Sequence, residues 1–138
     1  MRFARIVYSI AAVYGLLVTF PLFFMERLVG EQDPPPMTHA EYYYAFISIA
    51  VLWQIIFIFI ARDPVRYHPL MIFTVFEKMT LLPGFFVLFP QHRYPSSWIA
   101  LGGLDLFFGL LFAVSWMKTG RRSAVDSSGS SAPSSGGR

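Results

Sequence analysis

The chain has 138 residues, of which 55% are hydrophobic and only 14% charged, with a net charge of +3. Soluble domains carry about 25% charged residues, so this chain is short of solvent-facing surface, and its 15 Phe, 7 Tyr and 3 Trp suit an exterior that meets lipid. The absence of cysteine excludes disulfides, thiolate metal sites and cysteine nucleophiles, and basic residues placed at segment ends rather than along a stripe argue against a nucleic-acid partner.

The first apolar run is Ile6 to Met25. At about 1.5 Å per residue it spans about 30 Å, the thickness of the hydrocarbon core. It is too long for a signal-peptide core of about 7–15 residues and no small-residue cleavage site follows, so it reads as a retained helix, 6–25. A break over Gly30 to Met37 follows, because Pro34, Pro35 and Pro36 cannot continue a helix. Thr38 and Glu41 have the spacing of a capping box, which starts a second helix at about 39 and carries it to 61. Tyr42, Tyr43 and Tyr44 at its mouth have the character of an interfacial aromatic belt.

Arg62 to Arg66 forms a hydrophilic turn in which Asp63 can cap and Pro64 or Pro69 can occupy a first helical turn. The third helix is expected over 69–89, with a weak point at Pro83-Gly84. The fourth is expected over 97–117, with Trp98 and Trp116 as interface anchors. From 119 to 138 the chain becomes Ser- and Gly-rich with no aromatic residue, the composition of a disordered tail. The expected architecture is therefore all-α: a four-helix transmembrane bundle over 1–118, with the lipid bilayer as its first partner.

Lys and Arg give this bundle an orientation. Arg2, Arg5, Arg62, Arg66, Lys118, Arg121, Arg122 and Arg138 fall on one side, and only Arg27 and Arg93 on the other. The positive-inside rule places both termini and the turn after the second helix in the cytoplasm.

Charges inside a bilayer cost at least about 2.5–3.5 kcal/mol each on insertion scales, so they face the protein interior. Helix rise places Gln54 at about 10 Å, Tyr14 at about 12 Å, Glu77 and Lys78 at about 12–14 Å and Asp105 at about 18 Å from the cytoplasmic surface. Tyr14, Gln54, Glu77, Lys78 and Asp105 thus form a candidate polar layer. Gly102, Asp105, Gly109 and Ala113 make one small-residue face that should turn Asp105 towards another helix. Thr74, Glu77, Leu81 and Gly84 make a comparable stripe on the third helix. Adjacent Glu77 and Lys78 diverge by about 100°, so they should not share a partner. The bland reading of the layer is interhelical glue: Lys78 paired with Asp105, and Glu77 bonded to Gln54 or Tyr14.

Other candidates are thinner. His39, Glu41 and His92 can be read as a metal site, but a cap and two solvated histidines explain them as well. Arg62, Asp63 and Arg66 can contact lipid phosphates, or serve only as cap and topology charges. No catalytic nucleophile has a recognisable setting, and no cofactor or metal is implied.

Four short helices, the Arg62-Asp63-Pro64-x-Arg66 turn, Glu77-Lys78 and Asp105 resemble small bacterial membrane proteins of the broad DoxX-like group. The resemblance covers residues 1–118 and implies a bacterial inner (plasma) membrane and no particular catalytic residue. Three functions fit the sequence. One is a structural or accessory subunit associating with other membrane subunits or with itself. Another is a small proton-coupled oligomeric transporter. The third is a binder or enzyme for a lipid-like or isoprenoid ligand.

Overall fold

The structure, a computed structural model, describes residues 2–32, 38–92 and 96–129, leaving aside the side chains of 96–98 and 121–129. The described residues are helical and unpaired in any sheet: α1 (Arg2–Thr19), a 3₁₀ segment (Phe20–Phe24), α2 (Glu26–Gln32), α3 (Ala40–Arg62), α4 (His68–Lys78), α5 (Leu81–Leu88) and α6 (Ser96–Gly129). They supply four spans long and apolar enough to cross a membrane: Arg2–Phe24, Ala40–Arg62, His68–Leu88 and Ile99–Gly120.

Two prolines shape these spans. Pro21 has no amide to give to the carbonyl four residues back and its ring crowds that turn, so α1 ends at Thr19 and tightens into the 3₁₀ segment. Pro83 acts in the same way on the carbonyl of Met79. The third span is therefore not one helix over 69–89 but two, broken at Met79–Thr80, with Thr80 N–H donating to Glu77 O (3.1 Å) and its hydroxyl to the same carbonyl (2.7 Å). The weak point thus falls directly after Lys78, four residues before the proline itself.

The element ends differ from the sequence reading in three further places. The capping box does not form: α3 starts at Ala40, so His39 is the N-cap and Glu41 stands one place too early to reach back. Glu41 takes a bond from His39 Nδ1 instead (3.0 Å). Gly30 lies inside α2 rather than in a break, while Pro34 to Pro36 fall outside the described residues. Finally, α6 runs to Gly129 instead of stopping at 117, and residues 130–138 lie outside the description. Tertiary contact explains why it passes Met117: His68 Nε2 bonds the Trp116 carbonyl (3.0 Å), Thr119 is buried, and the His68 ring lies against Gly120. Trp116 stacks on His68 (5.8 Å, 5° between planes); the Trp98 side chain is outside the description.

Packing pairs α1 with α3 and α4 with α6, and α1 also meets α6. The buried face of α1 is Ala4, Val7, Tyr8, Ala11, Ala12 and Gly15, an i, i+3, i+4 stripe of mostly small residues. Tyr8 is completely buried where the four spans converge. Its ring stacks on Phe112 of α6 (4.4 Å, 3°) and meets the edge of Phe57 of α3 (5.8 Å). Its hydroxyl lies 2.6 Å from Thr74 Oγ1 of α4. Because Thr74 gives its own proton to Met71 O (2.7 Å), Tyr8 is the donor. The same end is closed by the Asp63–Tyr67 turn, in which the Asp63 carboxylate accepts from Arg66 N–H (3.2 Å) and Pro64 is buried, and by Lys118 Nζ over the Phe3 ring (4.6 Å). Both ends of the four-span unit therefore lie at this closed end. At the other end, Tyr43 and Tyr44 donate to Leu22 O (2.7 Å) and Glu26 Oε2 (2.8 Å), tying α3 to the 3₁₀ segment and to α2, while α5 buries no residue.

Tyr8→Phe removes only the interhelical hydrogen bond and should cost about 0.5–1.5 kcal/mol. Tyr8→Ala also empties the junction and should cost about 3–5 kcal/mol. Reversible unfolding in mixed micelles measures both, and equal losses for the two variants would deny the ring its role as keystone.

Candidate functional site

Because the closed end is filled and the other end splays, the bundle encloses a cavity of about 510 Å³ between all four spans. Its walls are mainly apolar: Ala11 and Val18 from α1, Ile49 and Ala50 from α3, Leu81 from α5 and Leu101 from α6 are among them. Phe46 and Ile49 of α3 and Phe73 and Phe76 of α4 line it and are exposed on the outer surface as well. The cavity therefore opens sideways between α3 and α4, where those helices touch only slightly.

Tyr14, Gln54, Glu77, Lys78 and Asp105 all contribute to this one cavity wall. Three of them form a charged cluster. Lys78 Nζ donates to Asp105 Oδ1 at 2.9 Å and to Glu77 Oε1 at 3.4 Å. The Lys78 side chain is 10% exposed and that of Asp105 22%. Asp105 does point at another helix, and Gly109, one turn on, lets α6 lie against the Lys78 stem. Glu77 and Lys78 share no third partner, and the long lysine stem folds back to reach Glu77 itself while also bridging to Asp105 of α6. Both sit in the last turn of α4, where the helix dipole favours the ammonium and disfavours the carboxylate.

Glu77 does not bond Gln54 or Tyr14. Gln54, 4% exposed, donates from Nε2 to Ala50 O on its own helix (3.1 Å), and its amide lies against Gly15, where a β-carbon has no room. Tyr14 stacks on Phe108 (5.9 Å) with its hydroxyl unbonded among the described residues. Two covered oxygens on this wall, Gln54 Oε1 and Glu77 Oε2, have no hydrogen-bond partner. Buried polar groups are nearly always paired, so two such acceptors on one cavity are unusual. The expected stripe Thr74, Glu77, Leu81, Gly84 holds as far as Leu81, and only Gly84 lies on the outside with nothing near it.

Sequence reasoning passed over Tyr8, Trp53 and the aromatic walls, because an aromatic residue in an apolar run carries no signal of which way it faces. The His39–Glu41 pair is exposed, and no group of three or more His, Asp or Glu among the described residues is placed to hold a metal ion. No protein-family model, curated protein or solved structure matches the chain.

Lys78→Met leaves two acids without a counter-charge and should destabilise the protein by about 3 kcal/mol, the lower end of the range for a broken buried pair. Adding Asp105→Leu should restore much of that loss. Thermal unfolding in detergent reads both, and a double variant no better than the single one would show that the pair is not coupled.

Proposed function

We propose that the protein binds a lipid-like amphiphile within the bilayer of a bacterial inner (plasma) membrane, with both termini in the cytoplasm. The observation that carries this reading is the cavity itself. Its volume of about 510 Å³ falls within the range of about 300–1,000 Å³ typical of small-molecule sites. It is apolar along most of its length, polar at one patch, and open sideways to where lipid lies. An apolar chain lies among Ile49, Phe73, Phe76 and Leu101, and its polar end meets Glu77, Lys78 and Asp105. Were the cluster interhelical glue alone, the space beside it would be filled.

The orientation is supported by the excess of Lys and Arg at the closed end. A second reading, an accessory subunit, is favoured by α5, which buries none of its residues and presents Phe86 and Val87 outward. The two readings are compatible, since Phe86 and Val87 take no part in lining the cavity.

Native mass spectrometry of the protein released from mild detergent should show one small amphiphile per chain. Ala50→Trp fills the cavity and should abolish that adduct with helix content unchanged; an adduct that persists in the variant, or none in the parent, would overturn the reading. The absence of native cysteine makes the orientation directly testable. In intact cells an impermeant maleimide should label Glu31→Cys, and should label Arg66→Cys only after the membrane is opened; the reverse pattern would invert the topology.

A further inference from the structure

Resting on the ligand-binding reading above, we infer that the occupant of the cavity is cationic: a single-chain amphiphile with an ammonium-type head. The first argument is charge. The cavity wall carries two acids, Glu77 and Asp105, and one base, Lys78; α1 and α3 bring no charged residue to it. Lys78 is held short by Asp105 (2.9 Å) and long by Glu77 (3.4 Å), so Glu77 is the under-compensated acid. In a low-dielectric interior an excess carboxylate is neutralised by a proton or by a second cation. A phosphate or carboxylate head meets the same site with like-charge repulsion.

The second argument is the potential of the wall. The covered side-chain atoms left unpartnered there, Gln54 Oε1 and Glu77 Oε2, are both acceptor oxygens, and Gln54 is almost wholly buried. They act on a head group through their negative potential rather than by direct bonds, and that potential favours a positive head; the unbonded Tyr14 hydroxyl on the same wall can donate or accept and discriminates neither way. The third argument is aromatic lining. Tyr14, Trp53, Phe57, Phe76 and Phe108 surround the space, and Lys78 Nζ already stands 5.6 Å from the Phe57 ring centre. Ring faces in a desolvated setting attract cations.

The proton and the cation compete for one carboxylate. The groups that face Glu77 across this wall are Lys78 of its own helix, Asp105 of α6, Tyr14 of α1 and the uncharged Gln54 of α3. Ammonium binding therefore weakens as pH falls, while binding of a neutral analogue does not.

The test uses the full chain in a neutral maltoside detergent and three probes with the same dodecyl chain: dodecyltrimethylammonium, dodecanol and dodecanoate. Binding is read by displacement of a fluorescent lipophilic cation and by the thermal midpoint. Dodecyltrimethylammonium should bind at least about tenfold tighter than dodecanol, equivalent to about 1.4 kcal/mol. Dodecanoate should bind least. Glu77→Gln should remove most of that preference, and in the parent protein the preference should shrink as pH falls. Equal binding of all three probes, or a preference for dodecanoate, overturns the inference but leaves the lipid-binding reading standing. No binding of any probe overturns both. Should Glu77→Gln fail to fold, the pH series on the parent protein decides alone, and a pH-independent preference sinks the role given to Glu77.

Discussion

Tyr8 brings all four spans to one point. Its ring faces touch α6 and α3, its hydroxyl donates to α4, and its backbone belongs to α1. Within a membrane the hydrophobic effect does not drive helices together, because lipid is as apolar as leucine. Association then rests on close packing and on interhelical hydrogen bonds. A large ring with one polar tip, set among Ala4, Ala11 and Ala12, provides both. Small neighbours allow α1 to approach α3, and the ring fills the space that the small residues leave at the centre.

That single knot also explains the asymmetry. Buried side chains cluster around Tyr8, and nothing equivalent recurs beyond this end among the described residues. Pro21 and Pro83 loosen the far halves of the first and third spans. The helices separate there, and the space between them becomes the cavity. The break at Met79–Thr80 has a second effect. It places Glu77 and Lys78 at a helix end, on the border between the packed and open halves, so the charges line a space instead of being buried in a seam.

The charged cluster is thus both a tie and a wall. The Lys78–Asp105 bond fastens α4 to α6, as an intramembrane pair is expected to do. Yet three charges cannot balance in one pair, and the excess falls on Glu77. Full burial of such an excess costs several kcal/mol. Bordering a cavity keeps the cost tolerable only if a proton or a ligand group shares the carboxylate. On the proposed reading, structural and binding roles are not alternatives, because different atoms of the cluster would serve them.

Amino-acid order alone determined the number of candidate spans and their rough limits, and set an expected depth for each polar residue. These are local properties: a run of about 20 apolar residues specifies a membrane-length helix, and rise per residue converts position into depth. Two of the misplaced boundaries were local in origin, since the start of α3 moved by one residue and the Pro83 break by one turn. Which residues face one another was not legible. In a soluble helix the polar face marks the outside, but here Phe57, buried, and Phe59, facing outward, have the same chemistry. Only the tertiary arrangement decided that Tyr8 is the centre, that Gln54 leans on Gly15 rather than bonding Glu77, and that the polar layer borders open space. Each of these depends on helix rotation, and rotation in lipid is fixed by packing between side chains distant in sequence, not by hydropathy along the chain.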